Sequence, residues 1–215
     1  IAIIIGAPLT NESKKGKPLF NAAFFLNEGS IQKIIKKTLL PTYDIFEENR
    51  YFEPSDEWEL IELKGKKIAL TICEDIWNIG ETHLLYKVTP MDILCGMKPD
   101  LMINISASPF SKDHHLKRLE ILRANTSKYK LPLFYVNQVG AQTDVLFDGA
   151  SCVLNEMGEM VARFPEFESA TKTIDTTLLH RPLKVDALKS NYLSLLEKAL
   201  VSGLKGFFQK ESIKT

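Results

Sequence analysis

The sequence predicts an α/β fold organised around a mixed β-sheet, and three observations carry that prediction. Apolar runs of strand type outnumber runs with helical spacing. Two strand runs flank Asn27-Glu28-Gly29-Ser30, a hairpin signal, whereas others are separated by helical stretches of the strand–helix–strand kind. One strand run, Lys66-Lys67-Ile68-Ala69-Leu70-Thr71-Ile72, stops at Cys73 and is followed at once by Glu74-Asp75-Ile76-Trp77. Ligands collect at such strand tips in α/β proteins. Hairpins combined with crossover units imply a mixed sheet rather than a purely doubly wound one.

The elements follow in order. Residues 1–8 open with Ile1-Ala2-Ile3-Ile4-Ile5-Gly6 and read as a buried strand. Residues 10–17 are a polar loop, and 21–26 a second strand. Residues 31–37 pair back across the turn as a third strand, which puts Lys37 near a strand end. Residues 38–62 form an irregular loop rich in aromatics (Tyr43, Phe46, Tyr51, Phe52, Trp58), a type of loop that often carries function. After the strand ending at Cys73, residues 75–86 are helix or loop and 88–96 a helix. A strand over 101–105 ends at Asn104-Ile105-Ser106-Ala107-Ser108, and 113–129 is a strong helix. Strands follow over 131–137 and 151–154, with a return strand over 161–165 after Glu156-Met157-Gly158-Glu159. Residues 184–190 read as a polar linker into a last helix over 192–208. There Leu195, Leu196, Ala199, Leu200, Leu204 and Phe207 fall on roughly one face.

Composition narrows the function. The 215 residues are 45% apolar and 25% charged, enough for one sizeable core. Basic and acidic residues balance at 27 each, so no surplus points to nucleic acid or an anionic membrane surface. No apolar run is long enough to span a bilayer, and no signal peptide is evident. Three cysteines, an odd count, argue against a disulfide scaffold and favour a reducing, cytoplasmic setting. The opening strand run lacks an initiator methionine and the last helix runs into a polar tail, so the sequence reads as a fragment.

A cysteine that attacks a carbonyl carbon needs a base for the thiol proton, positive charge or N–H groups for the oxyanion, and an acid for the leaving amine. Lys37 can supply the charge and, if close, lower the Cys73 pKa. Taken singly, neither residue is decisive. Lone cysteines usually pack as small hydrophobes, and lone lysines are usually solvated.

Six motifs in order add to that pair. They are Lys37-x-x-Leu40-Pro41-x-Tyr43, Phe46-Glu47-Glu48-x-Arg50-Tyr51-Phe52, Cys73-Glu74-Asp75-x-Trp77, Asn104-x-Ser106-Ala107-Ser108-Pro109-Phe110, Val136-Asn137-Gln138-Val139-Gly140 and Phe147-Asp148-Gly149-x-Ser151. The series resembles the glutamine amidohydrolase domain of glutamine-dependent NAD synthetases, within the nitrilase (carbon–nitrogen hydrolase) superfamily. The resemblance runs from residue 1 to about 180. It extends into Ala199-Leu200-Val201-x-Gly203-Leu204, similar to the helix leading into the family's synthetase domain.

The resemblance implies an αββα sandwich with a Glu–Lys–Cys triad, lacking its first elements here. Cys73 matches the nucleophile and Lys37 the lysine that stabilises the tetrahedral intermediate. Tyr43, Trp77 and Ser108 match glutamine-contacting positions, and His114 stands where the family more often has lysine or arginine. Glu48 is either an extra carboxylate beside the cysteine or, the preferred reading, a partner of Arg50 that holds the loop. Glu74 and Asp75 can orient the turn or bind the substrate amine. The plainer reading is that they stabilise a helix N-terminus. Gln142-Thr143-Asp144 departs from the family's more acidic stretch and is expected to be a structural or interface loop. Cys95 and Cys152 have no His or Cys neighbours at metal-ligand spacing, so no metal is assigned. His115 and His180 are expected to be solvated.

No residue matches the family's general-base glutamate, which the resemblance places before residue 1. The Ser-Gly-Gly-x-Asp-Ser signature of the synthetase half is also absent. Residues 1–183 are therefore expected to form an incomplete amidohydrolase domain, and 184–215 a linker and helix toward a synthetase domain. The resemblance implies glutamine as substrate, ammonia passed to a distant site using ATP and Mg²⁺, and a homo-oligomer. It implies no cofactor in this segment, and the segment alone is expected to hydrolyse glutamine poorly. Two other readings stay open: a free-standing nitrilase-type amidase, and a non-catalytic assembly module.

Overall fold

The computed structural model describes residues 1–13, 15–80, 85–142, 144–179 and 192–212. They fall into two compact units, Ile1–Ile105 and Ser106–Thr215.

The first unit holds two sheets. β1 (Ile3–Thr10), β2 (Leu19–Asn27) and β3 (Ser30–Lys36) form an antiparallel sheet in that order. The hairpin between β2 and β3 turns through Glu28 and Gly29, both at positive φ (53° and 77°). Two central residues at positive φ give the turn whose twist matches paired strands, and glycine adopts that conformation without strain. β1 is not the buried strand the sequence suggests. It pairs with β2 alone in its sheet, and Ile3 and Ile5 on one face are exposed. An edge strand with one covered face buries only alternate residues.

The second sheet of this unit contains β4 (Ile61–Leu63), β5 (Lys66–Ile72) and β6 (Leu101–Ser106). β4 and β5 are antiparallel around Lys64-Gly65, again at positive φ. β5 and β6 are parallel, in register from Ile68 opposite Leu101 to Ile72 opposite Ile105. All five residues from Ile68 to Ile72 are buried, as expected for an inner strand. The crossover carries a one-turn 3-10 helix, Cys73–Ile76, and a helix, Pro90–Gly96. The stretch 38–62, expected to be irregular throughout, contains one helical turn, α1 (Glu48–Tyr51), and the start of β4. Both are shorter than a hydrophobic period needs to show itself. The crossover helix Pro90–Gly96 is thus α2.

In the second unit, α3 (His114–Tyr129) ends at Lys130, which takes a left-handed φ of 55°. β7 (Leu133–Asn137) then leads to an antiparallel ribbon, β8 (Val139–Gln142) and β9 (Val145–Asp148). β10 (Cys152–Leu154) pairs with both β7 and β11 (Met160–Arg163), each antiparallel. The β8–β9 ribbon was not legible in the sequence. Gly140 and Ala141 have little strand preference. Of the expected loop Gln142-Thr143-Asp144, Thr143 lies outside the described residues. A buried polar cluster centres on Asn137. Its side chain accepts from the Ser108 N–H at 2.8 Å and donates to Ser108 O, Asp148 Oδ1 and Gly149 O. Arg118 meets Asp148 through two hydrogen bonds of 3.0 and 2.6 Å.

The last helix, α4 (Tyr192–Lys210), packs on β8 and β9 and buries only the first part of the expected stripe. Leu195 and Ala199 are buried, whereas Leu200, Leu204 and Phe207 are exposed. The buried stripe continues through Gly203 and Gly206, where a Cβ at 206 would come within 2.8 Å of the Ala141 Cβ. Close backbone approach, not side-chain bulk, selects this face. Lys210 Nζ completes the dock by donating to Ala141 O at 2.8 Å. Among the described residues, no helix is long and apolar enough to cross a membrane. His180 and the expected linker 184–190 lie outside the described residues.

Candidate active site

The site in the first unit is built where β3 and β5 end. Cys73 follows β5 directly and takes a left-handed φ of 46°. Such a conformation costs a residue with a Cβ about 1–2 kcal/mol and is kept where surrounding bonds over-determine it. Here the turn is held from β6. Asn104, register partner of Thr71, donates to Thr71 Oγ1 at 3.0 Å and to Cys73 O at 3.3 Å. The Cys73 side chain is half-buried rather than sealed in the core.

Lys37 is the first residue past β3, and its N–H still donates to Asn21 O at 2.8 Å. It is not a solvated lysine: it is 1% exposed. Its Nζ donates to both carboxylate oxygens of Glu48, at 2.6 and 2.7 Å. Burial alone would push the ammonium's pKa down. The Cys73 thiolate, Glu48 and Asp75 outweigh burial and hold the pKa above the ordinary lysine value. Lys37 and Cys73 are thus electrostatic partners despite their separation in sequence.

The Glu48 contact corrects the preferred reading of that residue. Arg50 pairs with Glu47 at 3.3 Å, on the exposed side of α1, while Glu48 faces inward to Lys37 and accepts from Asn21 Nδ2 at 3.3 Å. One helical turn points adjacent glutamates in different directions, so Arg50 reaches the one three residues before it.

The two acids after Cys73 are also more than helix-end charges. Asp75 is buried, and its Oδ1 accepts from the N–H groups of Thr38 and Leu39 at 3.1 and 2.8 Å. Its Oδ2 accepts from the Ile72 N–H at 3.1 Å. Burial pushes this carboxyl up to about 6, although Lys37 and the three backbone donors pull it down. Glu74, also buried, accepts from Tyr43 Oη at 2.9 Å on each oxygen and from Tyr86 Oη at 3.1 Å. Burial raises its pKa too, against the two tyrosine bonds and Lys37. Burial and the Glu74 charge together push both phenols upward, so they remain hydroxyl donors. Trp77 closes the turn with its N–H on Glu74 O at 2.8 Å and is half-buried.

Of the residues singled out in sequence, Lys37, Tyr43, Glu48, Cys73 and Trp77 therefore belong to the first unit. Ser108 and His114 belong to the second, where Ser108 Oγ and His114 Nε2 lie 2.9 Å apart as α3 begins. His115, expected to be solvated, is half-buried. Sequence reasoning missed Asn104, Asn21 and Tyr86 as parts of these networks. Asn104 and Tyr86 had a readable signal, a polar side chain on an apolar strand and an aromatic just past the nucleophile turn. Asn21 had none. Cys152 is no rival nucleophile, since burial pushes its thiol up to about 12 despite nearby arginines. Among the described residues, no cluster of three or more His, Cys, Asp or Glu side chains is arranged to hold a metal.

Residues 1–180 match the carbon–nitrogen hydrolase family. The glutamine-dependent NAD(+) synthetase of Synechocystis sp. is 35% identical over 98% of this chain, and that of Thermotoga maritima is 33% identical over 74%. The chain spans 39% and 26% of those two proteins' lengths. Among solved structures, the glutamine-dependent NAD+ synthetase of Acinetobacter baumannii in complex with ADP superposes with a TM-score of 0.84 at 25% identity, over 98% of this chain and 38% of that one. A carbon–nitrogen hydrolase from Helicobacter pylori superposes with a TM-score of 0.65 at 25% identity, over 77% of this chain and 58% of that one. The fold is of the nitrilase type, the α/β class expected from the sequence.

Proposed function

Because the chain belongs to the carbon–nitrogen hydrolase family, we propose that it is the glutamine-hydrolysing domain of a glutamine-dependent NAD synthetase, supplying ammonia for ATP-dependent amidation of deamido-NAD. One observation carries the reading: a buried lysine, kept charged by a carboxylate on one side, acts electrostatically on a half-buried cysteine at a strained strand tip. The relatives named as glutamine-dependent NAD synthetases, matched along nearly the whole chain, support the choice of glutamine over other small amides.

In this reading Cys73 attacks the side-chain amide carbon of glutamine. Lys37 has three N–H bonds, of which two point to Glu48. In this reading the third is left for the nucleophile and then for the oxyanion of the tetrahedral intermediate, where positive charge in a dry site stabilises most. The proton given up by the thiol is passed to the amide nitrogen, so that ammonia leaves and a thioester remains, which water hydrolyses to glutamate and the free thiol. The Glu74 carboxylate, held by two tyrosine hydroxyls, presents negative charge beside the nucleophile and suits the substrate's α-ammonium. Tyr43 and Trp77 line the same region by position in the chain. Ser108 and His114 enter as substrate contacts through the resemblance alone. ATP and Mg²⁺ are assigned to the synthetase part of the relatives, outside the aligned region. A cytoplasmic homo-oligomer completes the proposal, from cysteine usage and the resemblance.

Cys73→Ala in the full-length polypeptide tests it. Glutamine-dependent NAD synthesis should be abolished while ammonia-dependent synthesis is spared. Loss of both together would show that Cys73 is not the nucleophile of a separable glutaminase step.

A further inference from the structure

We propose that Asp75 is a positioning residue that fixes the separation of Lys37 and Cys73 by tying together the backbones on which they stand. This inference rests on the reading of Cys73 as nucleophile and goes beyond it. The two oxygens of Asp75 divide their bonds between the two strand ends. Oδ1 takes the N–H groups of Thr38 and Leu39, the two peptide units that follow Lys37. Oδ2 takes the N–H of Ile72, the residue before Cys73. One rigid, three-atom carboxylate therefore spans the ends of β3 and β5.

Three physical points favour a positioning role over a general packing role. First, the N–H of Leu39 is buried, so without an acceptor it would remain unsatisfied in the interior. Second, the Asp75–Ile72 bond closes the turn in which Cys73 takes its left-handed φ of 46°, a conformation that needs outside support. Third, a carboxylate is an expensive way to satisfy three N–H groups in the interior. Its charge has a further use here, because Asp75 joins Cys73 and Glu48 in holding Lys37 protonated. The charged group acting on Asp75 is Lys37, from the end of β3, and Cys73 from the same turn as Asp75 and Glu48 from α1 act on that same ammonium. A neutral amide of the same shape would keep one acceptor, set an N–H₂ against the Ile72 N–H, and remove the charge.

The test compares wild type, Asp75→Asn and Cys73→Ala in the full-length polypeptide, with glutamine turnover and the rate of Cys73 alkylation by iodoacetamide as readouts. A misplacement near 1 Å costs on the order of 100-fold in rate. Asp75→Asn is therefore expected to lower kcat by about 10- to 100-fold with KM changed less than about threefold, and to slow alkylation in parallel. Simple loss of packing would not separate kcat from KM in this way. Folded Asp75→Asn with kcat and alkylation within twofold of wild type overturns the proposal, as does a rise in KM at unchanged kcat. If Asp75→Asn does not fold, Asp75→Glu keeps the charge and both acceptors but lengthens the span by one methylene, and the same drop in kcat at constant KM is expected. Surviving glutamine turnover in Cys73→Ala would sink the nucleophile reading itself. Lost turnover there with an unaffected Asp75→Asn sinks the positioning role alone.

Discussion

Replacing Asp75 with asparagine should remove one pH dependence of stability whose size follows from the site. Burial pushes the Asp75 carboxyl from 3.8 up to about 6, against the Lys37 ammonium and three backbone donors. A carboxyl with a higher pKa folded than unfolded binds its proton more tightly when folded. Its contribution to stability is therefore greatest in acid and is lost as pH rises through about 6. The interval from 3.8 to about 6 corresponds to about 3 kcal/mol. Of this, about 2 kcal/mol falls between roughly pH 4.5 and 7.5. Asparagine does not titrate. The difference in unfolding free energy between wild type and Asp75→Asn should thus change by about 2 kcal/mol across that interval, with wild type relatively weaker at the higher pH. Urea unfolding followed by tryptophan fluorescence measures it. Trp58 and Trp77 are the protein's two tryptophans, both in the first unit, and Trp58 Nε1 donates to Thr38 Oγ1 at 3.1 Å, beside the Asp75 contact. Groups common to both proteins cancel in the difference. A difference flat with pH to within about 0.5 kcal/mol, or one with the opposite slope, would refute the reasoning about this buried charge.

Two other substitutions probe separate parts of the molecule. Lys37→Ala should lower glutamine turnover by about 10²- to 10³-fold, the usual loss when one oxyanion donor is removed, and unchanged turnover would take Lys37 out of the mechanism. Arg118→Met strands Asp148 in the interior without its cation, and should destabilise by about 3–5 kcal/mol in chemical denaturation; a loss below about 1 kcal/mol would mean that Asp148 finds another partner or a proton.

Local pattern carried much of the fold. The β2–β3 hairpin was legible because Asn27-Glu28-Gly29-Ser30 can hardly be anything but a turn between two apolar runs, and Gly29 takes the positive φ it implies. The tip at Cys73 was legible because five apolar or β-branched residues end there abruptly. The β8–β9 ribbon and β4 escaped because neither is long enough, or apolar enough, to show a period. The docking face of α4 was only half legible, for a different reason. Spacing marked Leu195 and Ala199, which are buried, together with Leu200, Leu204 and Phe207, which are exposed, because the later part of the helix approaches through Gly203 and Gly206, which hydrophobic periodicity does not count.

The site divides the same way. Order along the chain was enough to nominate Cys73 and Lys37, because the chemistry needs a nucleophile and a cation and each stands at the end of a strand run. Partner choice was decided only when the chain folded. Nothing local distinguishes Glu47 from Glu48, yet one turn of helix gives the first to Arg50 and the second to Lys37. Nothing local marks Asp75 as a bridge, because its acceptor oxygens serve N–H groups on a strand end far away in the chain. Sequence determines which groups are available and where strands stop. Burial determines which charges must find each other, since an ion removed from water accepts only the partner that the packed backbone places within reach.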